Sequence, residues 1–176
     1  MSSRFERVGS EARYEGKIFS VCEEVFRHED GEESTREIVH HQGAVGVVCH
    51  DGESIWLVRQ PREAVGAPDL LELPAGKLDV EGEEPLETAK RELAEEIGKA
   101  ASQWEHLHTF FTSPGFSDEV CHVYLATGLS DASADTDEHE RIDVEVRPLA
   151  ELDAIIDEVR DSKTLIGLLE LRRRRA

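Results

Sequence analysis

The sequence predicts an α/β (α+β) fold in which a mixed β-sheet is sandwiched between helices, with an N-terminal strand region. Three observations carry this. Short β-prone segments alternate with helical ones along the chain. One segment, residues 85–97, has the start and stop residues of a helix and a single apolar stripe. An Asp51-Gly52 dipeptide between two apolar runs marks a tight hairpin.

Residues 16–28 and 35–41 contain β-prone stretches, separated by the turn-forming HEDGEES over His28–Ser34. Strands are expected at Ala44–His50 and Ser54–Gln60, on either side of Asp51-Gly52. Pro85 stands in the first helical turn, where its missing N–H costs nothing, and Gly98 follows the last residue. Leu86, Ala89, Leu93 and Ile97 recur at helical spacing and predict one buried face. His106–Thr112 and Val120–Thr127 read as strands around a Ser-Pro-Gly turn, and Ile142–Val146 as a shorter one. Leu149–Val159 and Ser162–Arg172 close the chain as helices, the second capped by Asp161 or Ser162. The 176 residues, 39% hydrophobic, suit one core, and no repeat or linker interrupts them.

Charge narrows the function classes. The formal net charge is −19, with 39 Asp and Glu against 20 Lys and Arg. Such a field repels nucleic acid and anionic membrane, so neither is expected as a partner. An anionic substrate would need bound cations or a local basic pocket. Only 5 of the 20 basic residues are Lys, and the acidic residues are spread along the chain, as on proteins of a high-salt cytoplasm. An acidic protein from an Arg-rich proteome is the alternative. Cys22, Cys49 and Cys121 form no C-x-x-C pair, which argues against disulfides or a zinc site and for a reducing compartment. With no signal-like segment and no apolar run near the ~20 residues that span a bilayer, a soluble, cytoplasmic protein is expected.

On the 85–97 helix, Glu92, Glu95 and Glu96 stand at i, i+3 and i+4, on a face turned away from the apolar stripe. Like charges at that spacing repel. A hard divalent cation such as Mg²⁺ would turn the repulsion into a binding site; a solvated acidic face is the plainer alternative for the helix taken alone. His40 and His41 point to opposite faces of a strand, and His106 and His108 lack an evident third ligand, so structural or surface roles are expected for them. Arg172–Arg175 suits the negative end of a helix dipole.

The surrounding residues decide between the two readings of the helix. From Leu73 the chain reads LPAGKLDVEGEEPLETAKRELAEEIGK. This resembles the Nudix box, with Gly76, Glu83, Arg91, Glu92, Leu93, Glu95, Glu96 and Gly98 at the matching positions. Six residues separate Gly76 from Glu83 where the family has five, and Lys99 stands at the final aliphatic position. The insertion falls before the helix and leaves the carboxylate register intact. The resemblance implies a Nudix fold and Mg²⁺, or Mn²⁺, held by Glu92, Glu95, Glu96 and the Ala75 carbonyl. It also implies a structural pair between Glu83 and Arg91, and domain limits of 1–40 for an N-terminal strand region suited to dimerisation and 41–176 for the hydrolase domain.

Glu72-Leu-Pro-Ala-Gly76, the Ser113–Glu119 loop with Pro114, and the ending DSKTLIGLL are similar to the ADP-ribose pyrophosphatase subfamily. That similarity implies hydrolysis of ADP-ribose to AMP and ribose 5-phosphate by a homodimer. Other nucleoside diphosphate derivatives, such as another sugar nucleotide, NADH or a dinucleoside polyphosphate, are the alternative substrates, and a non-catalytic ADP-ribose-binding module is the alternative role. Candidate substrate contacts are Arg59, Arg62, Glu72, Gly76, Pro114 and Phe116. Arg59 and Arg62 could equally form ion pairs with Glu63 or Glu72, and Phe116 could pack under its loop. Carboxylates committed to a cation, Glu96 among them, are poor bases, because coordination depresses their pKa. The subfamily takes its base from a late loop, here DASADTDEHERIDVEV, in which Glu138 is the expected base and Glu140 a further metal or water contact; the reverse assignment is the alternative.

Overall fold

The structure, a computed structural model, describes residues 4–133 and 141–175. The chain divides into two compact units, Met1–Gly43 with Phe110–Val120, and Ala44–Thr109 with Cys121–Ala176. In the first, β1 (Phe5–Glu15), β2 (Phe19–His28) and β3 (Glu33–His41) form an antiparallel sheet in that order. β1 is not expected from the sequence. Both its faces are exposed, so its residues carry no period-2 burial pattern that could reveal it. The Phe110–Val120 segment joins this unit through backbone bonds, Val39 N–H to the Phe116 carbonyl at 2.8 Å and Asp118 N–H to the Val39 carbonyl at 3.1 Å.

The second unit is built on a seven-stranded mixed sheet. Its path is β10-β5-β4-β9-β8, with β6 paired to β5 and β7 to β4. Here β4 is Ala44–His50, β5 Ser54–Arg62, β6 Ala67–Glu72, β7 Ala75–Lys77, β8 Lys99–Phe111, β9 Val120–Asp131 and β10 Asp143–Pro148. The β4–β5 hairpin turns at Asp51-Gly52 as the sequence predicts. Gly52 adopts φ 102°, and Asp51 Oδ1 accepts the N–H groups of Glu53 and Ser54 at 2.9 and 2.8 Å. β4 lies parallel to β9 and antiparallel to β7, which makes the sheet mixed.

Alternation along β4 distributes the helices. Val45, Val47 and Cys49 cluster with Ala89, Leu93 and Ile97 of α1 (Pro85–Ile97). The intervening Gly46 and Val48 meet α3 (Ser162–Arg175) through Lys163 and Gly167. Successive side chains of a strand point to opposite faces, so α1 and α3 cover opposite sides. The sandwich expected from the sequence is present, with three α-helices among the described residues. The segment expected as one helix from Leu149 to Val159 begins with a 3₁₀ turn, Leu149–Glu151, before α2, Leu152–Glu158. α3 runs beyond its expected end at Arg172 to Arg175. Cys49 is fully buried, and burial pushes its thiol up to about 12.

Candidate active site

α1 and the segment before it hold the expected site. Pro85 sits in its first turn and Gly98 ends it at φ 66°, a left-handed conformation that costs a glycine little. The extra residue before the helix is absorbed by a turn in which Glu83 N–H meets the Val80 carbonyl at 3.1 Å and Gly82 takes φ 78°. The helix therefore presents Arg91, Glu92, Glu95 and Glu96 in unbroken register.

Arg91 stands among these carboxylates. It donates to Glu92 Oε1 at 2.8 Å, to Glu95 Oε2 at 3.1 Å and to Glu83 Oε2 at 3.2 Å. Burial opposes its charge, but the bond it donates to Glu83 and the charges of Glu92, Glu83 and Glu95 outweigh it and raise its pKa. Glu83 is held below the usual carboxylate range, first by the Thr88 hydroxyl at 2.8 Å and then by Arg91. Glu96 accepts the Ala75 N–H at 2.9 Å. Gly76 lies against Glu92: a Cβ there would come within 2.1 Å of its carboxylate. The loop and the helix face thus meet at Ala75-Gly76.

Among the described residues no three His, Cys, Asp or Glu side chains are gathered as a metal set. Glu92 and Glu95 accept from Arg91, and Glu96 accepts from a backbone N–H. The donor chemistry still fits a hard divalent cation. Three carboxylates share one helix face, and Gly76 lacks the side chain that would block Glu92. The buried Nε of Arg91 has no hydrogen-bond acceptor among the described residues, a deficit on the order of 1–3 kcal/mol.

The arginine candidates sit in ion pairs. Arg62 grips Glu72 with two bonds, 2.6 and 2.8 Å, while keeping 42% of its side chain exposed. Glu72 is 1% exposed and also pairs with Lys163. Burial pushes its carboxyl up, but Arg62 and Lys163 more than reverse this. Arg59 bonds to Glu145 and, at 2.5 Å, to Glu158. Arg62 thus meets the expected Glu72, whereas Arg59 takes partners on β10 and α2. In the first unit, Pro114 is exposed and Phe116 is 56% exposed. Phe116 does not pack beneath its loop; the Ser113 carbonyl instead closes the turn on the N–H groups of Phe116 and Ser117. Glu138 and Glu140 lie outside the described residues.

Two groupings go beyond what the sequence predicts. Thr164 and Lys163 of the DSKTLIGLL ending reach Leu73 and Glu72, and Asp161 holds the Thr164 hydroxyl. The likeness of that ending to a subfamily is the available signal, without a partner to attach it to. In the first unit, His40 bonds to Asp118 at 2.6 Å and to the buried Glu24 at 3.3 Å, which Arg7 also meets at 2.6 Å.

The profile of the NUDIX domain family matches residues 40–167. The chain is 45% identical over 150 residues to an ADP-ribose pyrophosphatase of Mycobacterium tuberculosis, covering 84% of this chain and 72% of the relative. It is 40% identical over 175 residues to a methanol dehydrogenase activator of Bacillus methanolicus, covering 96% and 94%. It is 37% identical over 174 residues to an ADP-ribose pyrophosphatase of Bacillus subtilis, covering 96% and 93%. A solved structure described as an ADP compounds hydrolase superposes with a TM-score of 0.84 at 21% identity, covering 97% of this chain and 94% of that one, a likeness of fold. With a box whose glutamates, arginine and Gly76 meet at one loop–helix junction and a family match over residues 40–167, the chain belongs to the NUDIX domain family.

Proposed function

We propose that the protein hydrolyses the pyrophosphate bond of ADP-ribose, giving AMP and ribose 5-phosphate. The observation that carries this is the junction of Ala75-Gly76 with the Glu92/Glu95/Glu96 face. It is supported by relatives of 45% and 37% identity that are named ADP-ribose pyrophosphatases. Glu92, Glu95, Glu96 and the Ala75 carbonyl would hold Mg²⁺, or Mn²⁺ in its place. Bound there, the ion supplies charge neutralisation of the diphosphate and activation of water.

The chain's own residues supply the rest. Arg62 and Arg59 offer planar guanidinium forks suited to diphosphate or ribose oxygens, and exchange of their present carboxylate partners would free them. Gly76, without a side chain, lets its loop lie against Glu92. Glu138 takes the proton from the attacking water, with Glu140 as a further metal or water contact. The water oxygen bonds to one phosphorus, the bridging P–O–P bond breaks, and the departing phosphate keeps the electron pair. A homodimer through the N-terminal region, residues 1–40, is part of this reading, supported by the exposed apolar side chains of Phe5, Val8, Tyr14, Ile18 and Phe19. Among the described residues no helix is long and apolar enough to cross a membrane.

A second reading follows from the relative named methanol dehydrogenase activator, and is stimulation of another enzyme. Product analysis separates the readings. ADP-ribose incubated with Mg²⁺ should yield equimolar AMP and ribose 5-phosphate. Turnover of NADH or a nucleoside triphosphate with kcat/KM about tenfold higher would overturn the substrate assignment. No cleavage of any of them, with stimulation of a dehydrogenase, would favour the second reading.

A further inference from the structure

The short stretch Leu73–Gly76 brings the Ala75 carbonyl to the carboxylate face, and it is fixed from more than one side. The Pro74 carbonyl accepts the Val47 N–H at 2.8 Å, and the Ala75 N–H donates to Glu96 at 2.9 Å. β7 pairs Ala75 with Gly46 of β4. These contacts come from the sheet and from α1. The contacts at Leu73 come from α3, on the opposite side of the sheet.

Thr164, fully buried in the first turn of α3, accepts the Leu73 N–H on its hydroxyl oxygen at 2.9 Å. Its single hydroxyl proton goes to Asp161 Oδ2 at 2.6 Å, and its own N–H donates to the same oxygen at 2.9 Å. Asp161 thus caps the helix and orients the hydroxyl at once. Lys163, beside it, pairs with Asp161 at 3.0 Å and with the buried Glu72. One turn on, Gly167 has no side chain where one would collide: a Cβ would lie 2.8 Å from Leu73 Cδ1 and 2.8 Å from Val48 Cγ2. Both the backbone and the side chain of Leu73 therefore take their position from α3. Each of Asp161, Lys163, Thr164 and Gly167 in DSKTLIGLL has a contact in this arrangement.

We propose that Thr164 and Gly167 are positioning residues for the metal site, setting the Ala75 carbonyl through Leu73 two residues before it. This rests on the metal-holding role given above to Ala75 and the α1 glutamates. A purely structural Thr164 would support the fold and leave cation binding alone. A positioning Thr164 would change how tightly the cation is held in protein that is fully folded.

The test is Mn²⁺ binding followed by electron paramagnetic resonance, at a temperature where circular dichroism shows every variant folded, together with kcat and KM for ADP-ribose against Mg²⁺ concentration. Thr164→Val keeps the shape and removes the hydroxyl; Thr164→Ser keeps the hydroxyl; Gly167→Ala pushes on Leu73. The expected result is a Mn²⁺ dissociation constant raised at least about fivefold in Thr164→Val and Gly167→Ala and restored in Thr164→Ser, with kcat falling more than KM changes. Should Thr164→Val not fold, Gly167→Ala against Thr164→Ser carries the same comparison. Wild-type Mn²⁺ affinity in folded Thr164→Val or Gly167→Ala overturns the positioning role while leaving the metal site standing. A wild-type protein that binds no Mn²⁺ overturns both.

Discussion

Arg91 and His40 show how single residues reconcile this acidic chain with itself. Arg91 gathers Glu83, Glu92 and Glu95, which would otherwise repel one another across the start and face of α1. His40 does comparable work in the first unit, between Asp118 and Glu24, with Arg7 on the far side of Glu24. The Asp118 bond raises the pKa of His40 against the effect of burial, and Glu24 adds to the rise. Burial pushes the Asp118 carboxyl up, but His40 and the His41 N–H bring it below its ordinary value. A raised folded-state value means that the stabilisation from His40 is complete below the unfolded value of about 6.5 and fades as pH climbs through the folded one. The melting temperature should therefore fall as pH rises from about 6.5, and His40→Asn should flatten that part of the curve. Equal slopes in the two proteins would show that this cluster does not sense pH.

At the scale of elements, the legible parts are those whose own residues dictate them. α1 matches its expected limits because Pro85 and Gly98 mark both ends, and β4 because every interior residue is apolar or glycine. The hairpin at Asp51-Gly52 needs only two residues to declare itself. β1, β6 and β7 escape the sequence for a common reason, that their pairing partners and not their own patterns make them strands. β8 begins at Lys99, well before the expected His106, since Lys99–Trp104 offers a weak β signal that neighbouring β9 overrides. The box itself is legible because its chemistry needs fixed spacing on one helix. The link from α3 to Leu73 is not, because it joins residues 91 positions apart. Gly76 belongs to this scale, as the point where loop and helix touch. Gly76→Ala should displace Glu92 and lower activity on the order of a hundredfold while the chain stays folded; activity within about twofold of wild type would show that the junction tolerates a side chain.

For the molecule as a whole, the net charge of −19 is the dominant property. Ion pairs such as those of Arg91, Arg59 and Arg147 consume much of the limited basic complement. What remains is a surplus of carboxylate whose self-repulsion is strongest when screening is weak. The melting temperature should rise between about 0.1 M and 2 M KCl, and a flat profile would remove the idea that the surface is adapted to high salt. The same surplus would disfavour an anionic substrate unless a bound cation offset it.

The activity of Glu96→Gln toward ADP-ribose at saturating Mg²⁺ tests most directly whether the α1 carboxylates hold the cation. The substitution keeps size and helix propensity and removes one charge from the face that meets Ala75. Activity should fall by orders of magnitude with an unchanged circular dichroism spectrum. A folded variant that keeps more than about a tenth of wild-type activity would contradict the assignment of this carboxylate face as the place where the cation is held.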